Sequence, residues 1–197
     1  MPGASKPLGS QNFLASSKPT RLPSASSSED ARPARRVARP IARLGPSPST
    51  LIHIECNSGA DILDYAHTFF TAYTEGHFRP HVAQKVTIAA FELLANGLRF
   101  GTMSDKVVIE LLQGNSWIVV RVTNSTIMAR IAMLTEHLDK IHASPEGTYV
   151  EEMRKSLSGA GQRGAMLGLA RVAHEAGLEI FSSVEGARVV VEAYCPA

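Results

Sequence analysis

Cysteine is scarce in this 197-residue sequence: there are two, Cys56 and Cys195, both in apolar, strand-like surroundings and neither with a partner at metal-ligand spacing. A framework of several disulfides and a cysteine-built zinc site are therefore excluded, and a reducing compartment is expected. No run approaches the roughly 20 consecutive apolar residues that a membrane span needs. The first residues also lack the apolar block of a secretory signal. These absences predict a cytoplasmic protein without a membrane span. There is no internal repeat and no Gly-x-Ser-x-Gly nucleophile elbow. His77 and His81 stand four residues apart, but Pro80 breaks the helix that would align them on a metal.

The small net charge of +2 hides a split. Residues 1 to 49 hold eight Lys/Arg against two Asp/Glu, a balance of +6, which leaves twelve against sixteen, or −4, for the rest. The stretch 1–49 is rich in Ser, Pro, Ala and Arg and has no apolar periodicity, so it cannot bury enough surface to offset the entropy of ordering. It is expected to be a disordered basic tail, with residues 50–197 as the folded domain. The tail is the one feature that suggests nucleic acid, and such binding would weaken steeply with salt. The acidic domain itself argues against it.

From Leu51 the pattern becomes regular. Leu51 to Cys56 reads as a strand, and Ser58 with Asp61 three residues on resembles a capping box opening an aromatic-rich helix to about Thr74. Pro80 suits the first turn of a helix that carries Val82, Val86, Ala89, Ala90, Leu93 and Leu94 on one face and reaches about Phe100. Lys106 to Gln113 and Ser116 to Thr123 form a predicted hairpin about Gly114-Asn115, with Trp117 as core.

Next come a helix over Thr126–His142 and a second one starting at Ser144-Pro145. A glycine-rich mobile stretch is expected over Ser158–Gly164. Helix Ala165–Ala176 is closed by Gly177, and strands Leu178–Ser183 and Ala187–Tyr194 turn at Glu185-Gly186. The order predicts an α+β two-layer sandwich, with a mixed, mainly antiparallel sheet of about five strands covered by helices on one face.

Chemistry concentrates in two segments. Glu92 and Asn96 are four apart on one helix and point the same way. The glycines of Gly164-Ala165-Met166-Leu167-Gly168-Leu169 would let backbone N–H groups approach phosphate at a helix start. Phe91 to Phe100 resembles the N-box of the GHKL ATPases, the superfamily with the Bergerat fold that includes histidine kinases, gyrase, Hsp90 and anti-sigma-factor kinases. The resemblance implies that Glu92 is a general base, Asn96 a ligand to Mg²⁺, and Arg99 a phosphate contact.

Gly164, Leu167, Gly168 and Leu169 match the family's second glycine box, which implies that they bind ATP; Met166 stands where the middle glycine is expected. Asn124 falls at the position of the adenine-binding Asp, and the glycine two residues after that Asp in the family is missing. The whole is similar to the SiaB-type serine kinases within the anti-sigma-factor kinase branch. This implies Mg-ATP binding and phosphorylation of Ser/Thr on a small antagonist-like, STAS-type partner, together with homodimer formation. The departures at Met166 and Asn124 leave a second expectation open, a catalytically silent adaptor that sequesters its partner without nucleotide.

Overall fold

The computed structural model describes residues 48–57, 62–158 and 165–197. The basic tail, the capping box at Ser58 and Asp61, and Gly164 with most of its glycine-rich stretch lie outside these ranges.

Ten elements follow one another among the described residues: β1 (Ser49–Asn57), α1 (Leu63–His77), α2 (Pro80–Phe100), β2 (Lys106–Gln113), β3 (Trp117–Ser125), α3 (Met128–Ala143), α4 (Pro145–Leu157), α5 (Ala165–His174), β4 (Glu179–Glu185) and β5 (Arg188–Pro196). The strands make one sheet in the order β1-β2-β3-β5-β4, and every neighbouring pair is antiparallel. Helices cover one face, giving the two-layer α+β sandwich.

α2 lies on that face and contributes more buried core residues than any other element among those described. Its apolar residues recur at three- and four-residue spacing, and Val86, Ala89, Ala90, Leu93 and Leu94 are sealed against β2, β3 and β5. Burial of each Val or Leu contributes about 1.5–3 kcal/mol. Pro80 opens the helix with φ already suited to it and no N–H to satisfy. At the other end the Phe100 carbonyl, which no helical N–H can reach, accepts from the Thr126 hydroxyl at 2.6 Å and from Arg130 Nη1 at 2.9 Å. The start of α3 is thus tied to the end of α2. α4 is opened by Ser144, whose hydroxyl accepts from the Gly147 N–H at 3.2 Å.

Strand alternation sends Ile118, Val120, Val122 and Asn124 of β3 toward the helices, and Trp117, Val119, Arg121 and Thr123 the other way. On that second face Trp117 and Phe181 pack against buried Leu112, Val119 and Tyr194. Trp117 is therefore a packing residue, as expected. Beside this cluster, His53, Glu110, Arg121 and Glu192 stand directly opposite one another across four strands. Glu110 lies 3.4 Å from His53 and 3.5 Å from Arg121, and Arg121 lies 2.8 Å from Glu192. Opposite charges in such register contribute roughly 0.2–1 kcal/mol per pair. The left-handed backbone at Gly177 (φ 64°) and Gly186 (φ 61°) ends α5 and turns β4 into β5.

Candidate functional site

The end of α2, the ends of β3 and β5, the start of α5 and one side of α3 converge on a cleft. Asn96, Phe100, Asn124, Met133, Met166 and Val191 are among its lining residues. Two of the sequence candidates, Asn96 and Asn124, therefore face the same space from different layers. Asn124 is within β3 and not beyond its end: its backbone pairs with Val189 and its side chain is buried. The cleft is partly open and offers about 50 Å³ of space to water, room for a few molecules. Met133 and Met166, unbranched and adaptable, would have to move for a larger occupant.

Asn96 is the unusual residue of the cleft. Its buried Nδ2 has no hydrogen-bond partner among the described residues. A buried amide left unpaired costs about 1–3 kcal/mol and calls for a reason. Oxygen and nitrogen of an amide occupy interchangeable positions, so the same site presents either a donor or an oxygen to the cleft. An oxygen ligand is what Mg²⁺ accepts, with phosphates and water completing its octahedron. The residue present thus fits a phosphate-bound magnesium ion.

One turn earlier on α2 lies Glu92, with its side chain 15% exposed and its Oε1 at 3.1 Å from Arg171 Nη1 of α5. Glu92 Oε2 sits over Gly168. A Cβ at Gly168 would come within 2.5 Å of that oxygen and 3.5 Å of Asn96 Nδ2. The glycine that the sequence assigns to phosphate binding is thus also the seat of the Glu92 carboxylate. Burial pushes the Glu92 carboxyl above the usual carboxylate range, against the opposing pull of Arg171 and, more weakly, of Arg99. A shift in this direction makes Glu92 a better proton acceptor than an ordinary carboxylate.

Arg99 follows on the same side of α2 but is exposed, and it reaches Glu92 through charge. Leu167 is half-buried on α5 and does not line the cleft, whereas its neighbours Met166 and Leu169 do. His77 Nδ1 donates to the Tyr73 carbonyl at 2.7 Å, and its ring stacks on Tyr73. Among the described residues no cluster of three or more His, Cys, Asp or Glu could hold a metal, and no helix is long and apolar enough to cross a membrane.

His137 is a residue that sequence reasoning missed. It is buried on α3, and its Nε2–H donates to the Met166 carbonyl at 2.8 Å, holding the first turn of α5 against the cleft wall. No spacing rule reveals it, because the contact joins two elements 29 residues apart. Burial lowers its pKa from the ordinary 6.5, and Lys140 and Lys155 push the same way against Glu152 and the Met166 bond. The unfolded chain then binds the proton more readily than the folded one, so by linkage this stability is present above pH 6.5 and is lost as pH falls below it. We expect the midpoint of thermal unfolding to drop between about pH 7.5 and about pH 5.5, either side of the ordinary histidine pKa, and to drop less in His137→Gln, which keeps a donor but has no titrating group. Equal pH profiles for the two proteins would show that His137 is not buried as a neutral ring.

No family model and no curated protein matches the chain. A solved structure does: the fold is similar to a chain in the crystal structure of the SiaB–SiaC complex from Pseudomonas aeruginosa, with a TM-score of 0.53 and 15% sequence identity over 75% of this chain and 91% of that one. At that identity the likeness is one of fold.

Proposed function

We propose that this chain is a regulatory protein that binds Mg-ATP in the cleft and transfers the γ-phosphoryl group to a serine or threonine of a small, antagonist-like (STAS-type) partner protein. The observation that carries this reading is the buried, unpartnered amide nitrogen of Asn96, a residue lining the cleft, one turn from the half-buried Glu92 carboxylate with its raised pKa. A known complex formed by a protein with a similar fold supports a protein partner, but function has to be argued from the site.

Magnesium bound to ATP would supply neutralisation of the charge that develops on the transferred phosphoryl group. The chain's own residues would do the rest. The Asn96 amide oxygen would hold the ion, and Glu92 would accept the proton of the attacking hydroxyl. Arg99, on the same side of α2, would lend positive charge to phosphate oxygens. Asn124 would accept a hydrogen bond from the base, as a neutral amide in place of a carboxylate.

A thermal-shift titration with ATP, with and without Mg²⁺, tests the reading. A ligand at about a hundred times its Kd stabilises by about 2.7 kcal/mol, which for a folded part of this size raises Tm by roughly 5–10 °C. We expect such a shift with ATP only when Mg²⁺ is present, and its loss in Asn96→Ala. No shift in the wild type would overturn Mg-ATP binding. It would favour the second reading, a silent adaptor that sequesters its partner, for which Met166 in the cleft speaks.

A further inference from the structure

Arg171 of α5 stands between two carboxylates. Its Nη1 is 3.1 Å from Glu92 Oε1, and its Nε is 2.8 Å from Glu175 Oε2, one turn further along the chain. Glu175 Oε1 in turn accepts from the Tyr149 hydroxyl of α4 at 2.5 Å. The other oxygen of Glu92 occupies the notch left by the missing Cβ of Gly168. Both oxygens of a carboxylate rooted on α2 are therefore located by α5. A glutamate carboxylate on its two-carbon stem would otherwise sample several rotamers. The planar guanidinium can hold it while bonding a second carboxylate, which a compact ammonium does less well.

We propose that Arg171 fixes the orientation of the Glu92 carboxylate between α2 and α5, the orientation in which Glu92 accepts the hydroxyl proton; the second clause rests on the kinase reading above. The charged groups around Glu92 agree with this assignment. From α5 and its end it faces Arg171 and, further off, Glu175; from its own helix, Arg99. From α1, His67 lies edge-on to the neighbouring Phe91. Arginine does not give up a proton in proteins, so it can hold the carboxylate without competing as an acid. Because Arg171 acts through Glu92, it is a positioning residue. The link to Tyr149 joins this position to the α3–α4 insertion.

The experiment is a double-mutant cycle on the full chain. Arg171→Met keeps the aliphatic stem and removes the fork and its charge. With the partner protein as substrate, kcat should fall roughly ten- to a hundredfold, the range expected when a reacting group is misplaced by an ångström or less, while KM for Mg-ATP changes little. Arg171→Lys should recover part of the loss. In a Glu92→Gln background, Arg171→Met should cause no further loss. A loss that persists there, or a rise in KM with kcat unchanged, would overturn the proposal, because the arginine would then act on the fold or on phosphate.

A second cycle, Arg171→Met with Glu92→Ala, which removes the carboxylate altogether, is unfolded in urea and gives a readout that needs no activity. Non-additive stabilities show the contact, and additive ones refute it even if the wild type is a kinase. Coupled stabilities in a chain that transfers no phosphate would retire the kinase reading and leave the positioning contact standing.

Discussion

Glu92→Gln is expected to slow phosphoryl transfer to the partner protein by roughly 10²–10⁴-fold, the usual contribution of a positioned general base, while Mg-ATP affinity stays within a few-fold of wild type. Glutamine is the informative replacement. It fills the same space over Gly168 and still offers an oxygen to Arg171, so the packing between α2 and α5 survives while the proton acceptor is lost. Alanine would remove the acceptor and open a void as well. Single-turnover transfer rates and calorimetric Mg-ATP titration of the two proteins separate chemistry from binding. Equal transfer rates would remove Glu92 from the mechanism. A parallel loss of affinity would mean that it holds the ion or the phosphates instead.

The contrast between Glu92 and Gly168 shows where sequence reasoning works and where it stops. Periodicity within one element is directly readable: Val82, Val86, Leu93 and Leu94 are buried on α2 as their spacing requires, and Glu92, Asn96 and Arg99 share one side of that helix. Local chemistry is readable too. Pro80 begins α2, Ser144 caps α4, and Gly177 and Gly186 take the left-handed conformations their positions suggest.

Relations between elements are a different matter. Nothing in the spacing of Gly168 tells that a carboxylate far earlier in the chain fills its missing Cβ. The pair Arg171 and Glu175 is legible as an i, i+4 ion pair, but the arginine's second partner, 79 residues away, is not. The hydrophobic pattern of β3 placed its end at Thr123, whereas pairing with β5 carries it on to Ser125 and makes Asn124 an inward-facing strand residue. Strand ends are set by the partner strand as much as by composition.

Gly97→Val is expected to destabilise the domain by several kcal/mol through overpacking. Gly97 is buried in the body of α2, and its sequence context, directly after Asn96, is equally that of a helix end. The reason for a glycine is the sheet beneath it: a Cβ there would lie 2.8 Å from Val122 Cγ1 and 2.9 Å from Val107 Cγ1. Both neighbours are β-branched, stiff at χ1, and buried in central strands. Neither can turn aside cheaply.

Alanine at this position gains up to about 1 kcal/mol of helix propensity and loses about 1–3 kcal/mol to overpacking. A net loss of up to about 3 kcal/mol is expected from these two ranges. Valine adds two more methyl groups to a gap that does not hold one. Its cost should reach several kcal/mol, a large part of the roughly 5–15 kcal/mol by which domains are stable, and should lower Tm by more than about 10 °C. Relief at the contact is the deciding measurement. Val122→Ala should destabilise the wild type by leaving a cavity, yet should cost less in the Gly97→Ala background, where the new methyl group fills that cavity. A coupling of about 0.5–3 kcal/mol in urea unfolding is expected for residues in direct contact. Additive effects would mean that α2 does not press on β3 at Gly97, and with it would go the tight seat that sets Asn96 at the mouth of the cleft.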